Sequence, residues 1–312
     1  MRILVIGGTR FIGLSAVRKL AQRGHEVAVF HRGEHEAGLP ASVRQIRDRR
    51  ARIPITSIPA ELRAYAPEVV VHMIAMGQRD AEAARDAFVD VVGRVVVLSS
   101  GDVYRAYGIF KGIEDGPLES LPLSESSPLR STMYPYRTSD RPSTVLEYYY
   151  DKVLVEQAIA ANPRLPATIL RLPKVYGQGD NANLGTVFGF RAHPEWRWTH
   201  GFVENVALAI VLAVESESAS GRIYNVGEEI TPTMAERMRY LPGTPNAPIV
   251  EQPGNFAQSI VYDTSAIRRE LGYCEEIPER EAMRKVCEGF LAAPSSGPPD
   301  DLRATGCCSR RE

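Results

Sequence analysis

The sequence predicts an α/β fold: a doubly wound parallel sheet with a small C-terminal α/β lobe. Short runs rich in valine and isoleucine alternate with helical patterns through the first half of the chain. These runs are continuous rather than alternating apolar with polar, which marks strands buried on both faces and hence a parallel sheet. A glycine-rich turn, GGTRFIG at 7–13, follows the first run and opens the first helix. Strand–helix alternation of this kind builds right-handed βαβ units.

The elements follow in order. RILVI (2–6), EVAVF (26–30), VRQI (43–46), EVVVHM (68–73) and RVVVLS (94–99) are expected strands, with helices near 11–23, 58–66 and 79–90. A Pro/Ser-rich irregular stretch covers about 112–143, and a strong helix is expected over 144–161. ATILRL (167–172) and RIYNV (222–226) are further strands, with the helix VENVALAIVLAVE (203–215) between them. A last amphipathic helix, EREAMRKVCEGFL, precedes a tail rich in Pro, Ser, Gly and charge. The expected division is a dinucleotide-binding domain over 1–177, with 199–226 returning to it. The lobe then takes 178–198 and 227–293, and 294–312 is a disordered tail.

The totals bound the function. A chain of 312 residues can bury a large core. A net charge of −1 gives no global field to recruit nucleic acid or an anionic membrane. No apolar segment is long enough for a signal sequence or a membrane span, so a cytoplasmic protein is expected. The four cysteines, Cys274, Cys287, Cys307 and Cys308, form no C-x-x-C pair and no disulfide framework. His31 and His35 lack a third ligand, so no metal is expected.

A dinucleotide turn needs glycine for tight turning, for approach to pyrophosphate and for close helix–strand packing. Gly7, Gly8 and Gly13 can meet these needs, with pyrophosphate at the N-terminus of the helix from Phe11. Arg10 stands where a third glycine is usual. After the second strand, His31 and Arg32 replace the acid that would bind the ribose of NAD. An arginine favours a 2′-phosphate, so NADP is favoured and NAD remains possible.

YYYDK holds Tyr148 and Lys152 four apart, which on the expected helix puts them one turn apart on one face. The fifth strand ends in SSGDVY (99–104), at the sheet edge where doubly wound folds bind ligands. A nearby ammonium lowers a phenol's pKa. Tyr148 could then exchange a proton with an alcohol or ketone, with Lys152 as its partner and Ser100 donating to the oxyanion. The plain structural alternative is an aromatic cluster with a solvated lysine.

With these motifs the chain resembles the extended branch of the short-chain dehydrogenase/reductase superfamily, of the NAD(P)-dependent epimerase/dehydratase type. GGTRFIG is similar to that family's GGTGFIG, SSGDVY to S-S-x-x-V-Y-G, and YYYDKVLVE to Y-x-x-x-K-x-x-x-E, ending on Glu156. LRLPKVYGQGD, WTHGFVENVALAI, RIYNVG and DTSAIRRELGY resemble later family segments in the same order. The resemblance implies a Rossmann domain with a substrate lobe, often paired into a homodimer. It also implies a Ser100–Tyr148–Lys152 site acting on a small-molecule substrate, a sugar or sugar nucleotide. The cofactor would lie against Gly7, Gly8, Thr9, Arg10, Phe11, Ile12 and Gly13, then His31, Arg32, Asp48, Ile74 and Ala75. Ser99, Lys152, Leu172 and Val175 complete that set. Ser100, Asp102, Tyr148 and Lys174 would meet substrate.

Several features depart from the family pattern. HMIAMG (72–77) replaces H-x-A-A, and Lys174 stands where many relatives carry Asn. About twenty residues separate VYGQG from WTH where the family has about forty, which bears on whether the substrate is a sugar nucleotide or something smaller. Gly101 and Asp102 follow Ser100 where dehydratases carry Asp-Glu, which argues against dehydration. The same turn also resembles that of the chloroplast stem-loop RNA-binding proteins. A non-catalytic nucleotide- or RNA-binding protein, or a pseudoenzyme with a reduced lobe, therefore stands as the alternative. The intact Ser100, Tyr148 and Lys152 and the lack of a basic, aromatic-interleaved patch favour an enzyme and no nucleic acid.

Overall fold

A computed structural model describes residues 1–34, 38–138, 143, 145–181, 184–241 and 254–292. The expected disordered tail and lobe residues 242–253 lie outside the described residues. The first half runs β1 (Arg2–Ile6), α1 (Phe11–Gln22), β2 (Glu26–His31), β3 (Arg44–Arg47), α2 (Ala60–Ala64), β4 (Val69–His72), α3 (Gln78–Phe88) and β5 (Arg94–Ser100). Then follow α4 (Arg105–Lys111), α5 (Lys152–Ala160), β6 (Ala167–Leu172), β7 (Lys174–Tyr176), α6 (Gly185–Gly189), β8 (His200–Phe202) and α7 (Val203–Glu215). The chain continues with β9 (Ile223–Asn225), α8 (Met234–Tyr240), α9 (Ser265–Leu271) and α10 (Glu279–Ala292).

Seven strands form one parallel sheet in the order β3-β2-β1-β4-β5-β6-β9. The order reverses between β1 and β4, and the crevice beyond the carboxyl ends of strands at such a reversal is where ligands bind. Alternate side chains of each central strand enter opposite layers. Ile3 and Val5 join α1 and α7 on one face, while Leu4 and Ile6 join α2, α3 and α5 on the other. That two-sided burial is the physical origin of the unbroken apolar runs. A separate parallel pair, β7–β8, adjoins a third cluster built on Phe110, Phe188, Phe190, Trp196, Ile260 and Tyr262.

One expected element is corrected. The helix expected over 144–161 begins only at Lys152, preceded by a 3-10 turn at Leu146–Tyr148. Asp151 is the cause. It has extended backbone (φ −160°, ψ 109°), and its carboxylate accepts from the backbone N–H groups of Val153 at 2.9 Å and Leu154 at 3.3 Å. An aspartate that satisfies the first free N–H groups is an N-cap, and it fixes where a helix starts. The short elements β7, β8, α4, α6, α8 and α9 lay outside the expected set.

Beyond β9, Glu228 is buried and accepts from the Phe202 backbone N–H at 3.0 Å. Burial first, then the charges of Glu279 and Glu275, push its carboxyl up to about 8. Between the ordinary carboxyl range and about 8, the folded protein holds a proton that the unfolded chain has released. Stability from this group therefore falls as pH rises through that window. Glu228→Gln, which still offers the accepting oxygen, should gain roughly 2–4 kcal/mol over the parent at pH 8 and little at pH 5. Melting temperatures of both proteins at the two pH values check this. An equal pH dependence in parent and variant would contradict it.

Candidate active site

The turn after β1 forms the floor of a cleft of about 320 Å³. Gly7 and Gly8 both take φ +91°, a conformation that glycine reaches without strain. A Cβ on Gly13 would lie 2.4 Å from Gly8 Cα, so the first turn of α1 packs backbone to backbone on the glycine loop. Arg10 is different: it has ordinary extended backbone (φ −139°, ψ 157°), so the loop does not need glycine there. α1 carries no acid in its first turn, leaving its N-terminal N–H groups and dipole available to an anion. The cradle thus fits a dinucleotide pyrophosphate.

Of the residues expected around the cofactor, Gly7, Gly8, Thr9, Arg10, Phe11, Ile12, Gly13, His31, Arg32 and Ile74 line this cleft. His31 contributes no charge. Burial lowers its pKa, its Nε2 lies 3.1 Å from Gln45 Oε1, and its Nδ1 accepts from the Gly33 N–H. Arg32 pairs with Glu34 at 2.8 Å, and Glu34 also lines the cleft. That carboxylate was missed because it stands three residues beyond the end of β2. Arg10 is exposed and forms no ion pair among the described residues. Met73, in the HMIAMG segment, supplies an apolar wall, as do Ile53 and Ile55, which no sequence motif marked.

Other expected contacts are turned elsewhere. Asp48 does not line the cleft, and its carboxylate accepts from the Arg50 N–H at 2.8 Å. Ser99 donates to Glu156 at 2.6 Å, and Glu156 pairs with Arg171, which reaches Tyr104, so this buried network braces β5 against β6. Leu172 and Val175 belong to the core layer that also holds Met73 and Leu98. Lys174 opens β7 and is half-buried.

Lys152 is buried, and its ammonium donates to the carbonyls of Ala75 and Leu98. Leu98 and Ile74 line the cleft, so the lysine is hydrogen-bonded to the backbone of one cleft residue and of the neighbour of another. Burial lowers its pKa to about 8, against the opposing charges of Asp102, Asp80 and Glu156. Ser100 ends β5 and caps the 3-10 turn Gly101–Val103. Asp102 is buried, and desolvation raises its pKa while Arg130 opposes the shift. Its Oδ2 accepts from Tyr136 Oη at 3.0 Å.

Tyr148 and Lys152 do not share a helical face, because the helix between them is absent. The Tyr148 ring instead lies under the Arg137 guanidinium at 4.2 Å, and Tyr150 takes the place beside Ser100, Asp102 and Lys152. Beneath the site, Arg130 and Asp151 form an ion pair at 2.7 Å with both side chains fully buried. Arg130 also donates to the Asp102 carbonyl at 2.8 Å. Among the described residues there is no cluster of metal-ligating side chains and no helix long and apolar enough to cross a membrane.

Comparison with known proteins places this geometry. The model of the NAD dependent epimerase/dehydratase family matches residues 3–227. The dTDP-L-rhamnose 4-epimerase of Burkholderia thailandensis is 25% identical, over 82% of this chain and 84% of that protein. The 2′-dehydrokanamycin reductase of Streptomyces kanamyceticus is 31% identical, over 57% of this chain and 44% of that protein. Among solved structures, the Thermus thermophilus UDP-glucose 4-epimerase in complex with NAD shares the fold with a TM-score of 0.65. It is 22% identical and covers 94% of this chain and 100% of its own. The family match spans every strand from β1 to β9 and the whole glycine turn, and the chain belongs to the NAD-dependent epimerase/dehydratase family.

Proposed function

We propose that the protein reversibly oxidises a secondary alcohol, or reduces the corresponding ketone, on a sugar or sugar nucleotide, with a nicotinamide dinucleotide as redox partner. The observation that carries this is the adjacency of two features at one sheet edge. The glycine cradle opens into a cleft whose inner wall, at Leu98, is hydrogen-bonded to Lys152, and Ser100 lies two residues beyond Leu98 on β5. A bound nicotinamide would supply hydride exchange there. The chain's own groups supply the rest. Ser100 donates to the oxygen of the reacting carbon, and a tyrosine of the 148–150 run exchanges the proton. The Lys152 ammonium favours negative charge on that oxygen. A 4-epimerase and a reductase among the relatives support a transient or a net redox step on a sugar.

NADP is the favoured form. Arg10, exposed at the rim of the cleft, is available to a 2′-phosphate, and Arg32 can join it by leaving Glu34. Losing one charge-assisted contact costs about 1.5–3 kcal/mol. Arg10→Gly, which the extended backbone tolerates, should therefore reduce the NADP-over-NAD affinity ratio by about 10- to 100-fold. Fluorescence titration with NADPH and NADH measures it, and an unchanged ratio would remove Arg10 from the site.

The whole proposal is tested by incubating the protein with NAD(H) or NADP(H) and a panel containing dTDP-L-rhamnose, UDP-glucose and their 4-keto forms. Inversion at a ring carbon, or a stoichiometric change in nicotinamide absorbance, is the expected result. Tight dinucleotide binding with no change in any sugar would overturn it in favour of a binding protein.

A further inference from the structure

Three consecutive tyrosines, 148–150, compete for one role, and spacing to Lys152 selects the first of them. The structure distributes them differently. Tyr148 closes the 3-10 turn, and its carbonyl accepts from Arg137 Nε at 3.0 Å. The same guanidinium is sandwiched between two rings, 3.7 Å from that of Tyr134 and 4.2 Å from that of Tyr148. Tyr148 is thus held by a cation–π stack on the outer side of the segment.

Tyr150 points the other way. Its ring centre is 5.6 Å from Lys152 Nζ, and its phenol faces the Asp102 carboxylate, which with burial raises its pKa, and Ser100, which opposes the shift. The ring packs edge-on against Tyr136 at 5.3 Å, and Tyr136 in turn donates to Asp102 Oδ2. Tyr107 Oη lies 3.2 Å from Tyr136 Oη, completing a polar chain behind the site. Asp102 Oδ1 is buried and has no hydrogen-bond partner among the described residues, so this carboxylate keeps a free acceptor. Asp151 N–H bonds the Met76 carbonyl at 2.9 Å, and the Tyr149 carbonyl lies so close to Gly77 that a Cβ there would approach it to 2.5 Å. The backbone on both sides of Tyr150 is therefore fixed.

We propose that Tyr150, not Tyr148, exchanges the proton with the reacting oxygen, and that Asp102 is the group to which Tyr150 passes it. This assignment rests on the redox reading given above. In the oxidation direction the substrate O–H bond breaks and its proton goes to Tyr150 Oη. The Tyr150 proton goes to the Asp102 carboxylate in the same step. A bound nicotinamide would take the carbinol C–H pair as hydride, leaving the carbonyl. Reduction runs the same transfers backwards, so atoms and charge balance. Burial and the neighbouring carboxylate hold the Tyr150 phenol protonated, which is why an acceptor behind it is needed.

The test compares Tyr148→Phe, Tyr150→Phe and Asp102→Asn in the full chain. It uses whichever sugar nucleotide of the panel the parent converts. Tyr150→Phe and Asp102→Asn should each lower kcat by about 100- to 10,000-fold. NADH affinity should stay within about threefold, and Tyr148→Phe should stay within about threefold of the parent in kcat. A readout without substrate accompanies this: tyrosinate absorbance at alkaline pH. Asp102→Asn removes a negative charge that faces Tyr150, Tyr136, Tyr107 and Tyr262, so tyrosine ionisation should move to lower pH in that variant, and the change should be smaller when Tyr150→Phe is added. Loss of kcat in Tyr148→Phe with retention in Tyr150→Phe would overturn this assignment alone. A shift of undiminished size in the double variant would overturn the Asp102–Tyr150 pairing. A parent that binds dinucleotide and converts no sugar nucleotide would overturn the redox reading, and this assignment with it.

Discussion

Replacing Gly13 by alanine is expected to cost the protein its dinucleotide site. The added Cβ would meet Gly8 Cα at 2.4 Å, Gly8 N at 3.0 Å and Gly8 C at 3.1 Å. All three are backbone atoms, so no side chain can rotate away. Either α1 moves off the turn or the turn moves off α1. α1 is pinned by Ala16, Val17 and Leu20 in the core, so the turn is the part that yields. The N–H groups that would face a bound pyrophosphate are on that turn. Overpacking costs about 1–3 kcal/mol in stability, and misplaced phosphate donors should weaken NADH binding by about 100-fold or more. Fluorescence titration of Gly13→Ala reads the second effect and thermal melting the first. A dissociation constant within about threefold of the parent would show that the turn is not the phosphate cradle.

Asp151→Ala should be the most destabilising single change near the catalytic groups. Asp151 does three things at once. It caps α5, it accepts from the Tyr134 N–H, and it neutralises the fully buried Arg130. Removing it leaves a buried guanidinium without its counter-charge, and such losses cost about 3–5 kcal/mol. Because the lost cap lies directly before Lys152, the lysine should also lose its fixed position under the Ala75 and Leu98 carbonyls. The double change Arg130→Met with Asp151→Leu should recover part of the stability, since the buried guanidinium is then gone, although Asp102 loses the cation that offsets its burial. Denaturant unfolding of the single and double variants checks this. A loss below about 1 kcal/mol in Asp151→Ala would contradict the importance of the pair.

The parallel sheet was legible because its strands are buried on both faces, and that constraint writes itself into consecutive residues such as Val69–Val71 and Val95–Val97. The glycine turn was legible for a similar reason: Gly7, Gly8 and Gly13 each answer a local steric demand. The start of α5 was also written in the sequence, as an aspartate directly before the apolar helical run. The apolar and helix-favouring residues on both sides of Asp151 fit one helix over 144–161, and the aspartate cap decides against it. Other features were not legible because they join distant segments. Arg130 meets Asp151 across 21 positions and Asp102 across 28. Nothing local to Tyr136 announces that it donates to Asp102, 34 residues earlier. Strands of three residues, as in β7 and β8, are too short for any period to declare itself. Glu34 went unseen because it lies in irregular backbone beyond β2, where no period or motif marks a side chain as facing the cleft.

The central claim is that this chain binds a nicotinamide dinucleotide and carries out redox chemistry on a carbon bearing a hydroxyl. Its most direct test is deuterium tracing. The protein is incubated with NADPH or NADH carrying deuterium at the transferable C4 position, together with the 4-keto forms of dTDP- and UDP-linked hexoses. NMR of the sugar then reads the label. Deuterium at a single sugar carbon, in parent and in Tyr148→Phe but not in Tyr150→Phe, is the expected result. Saturable binding of the dinucleotide with no label in any sugar would contradict it.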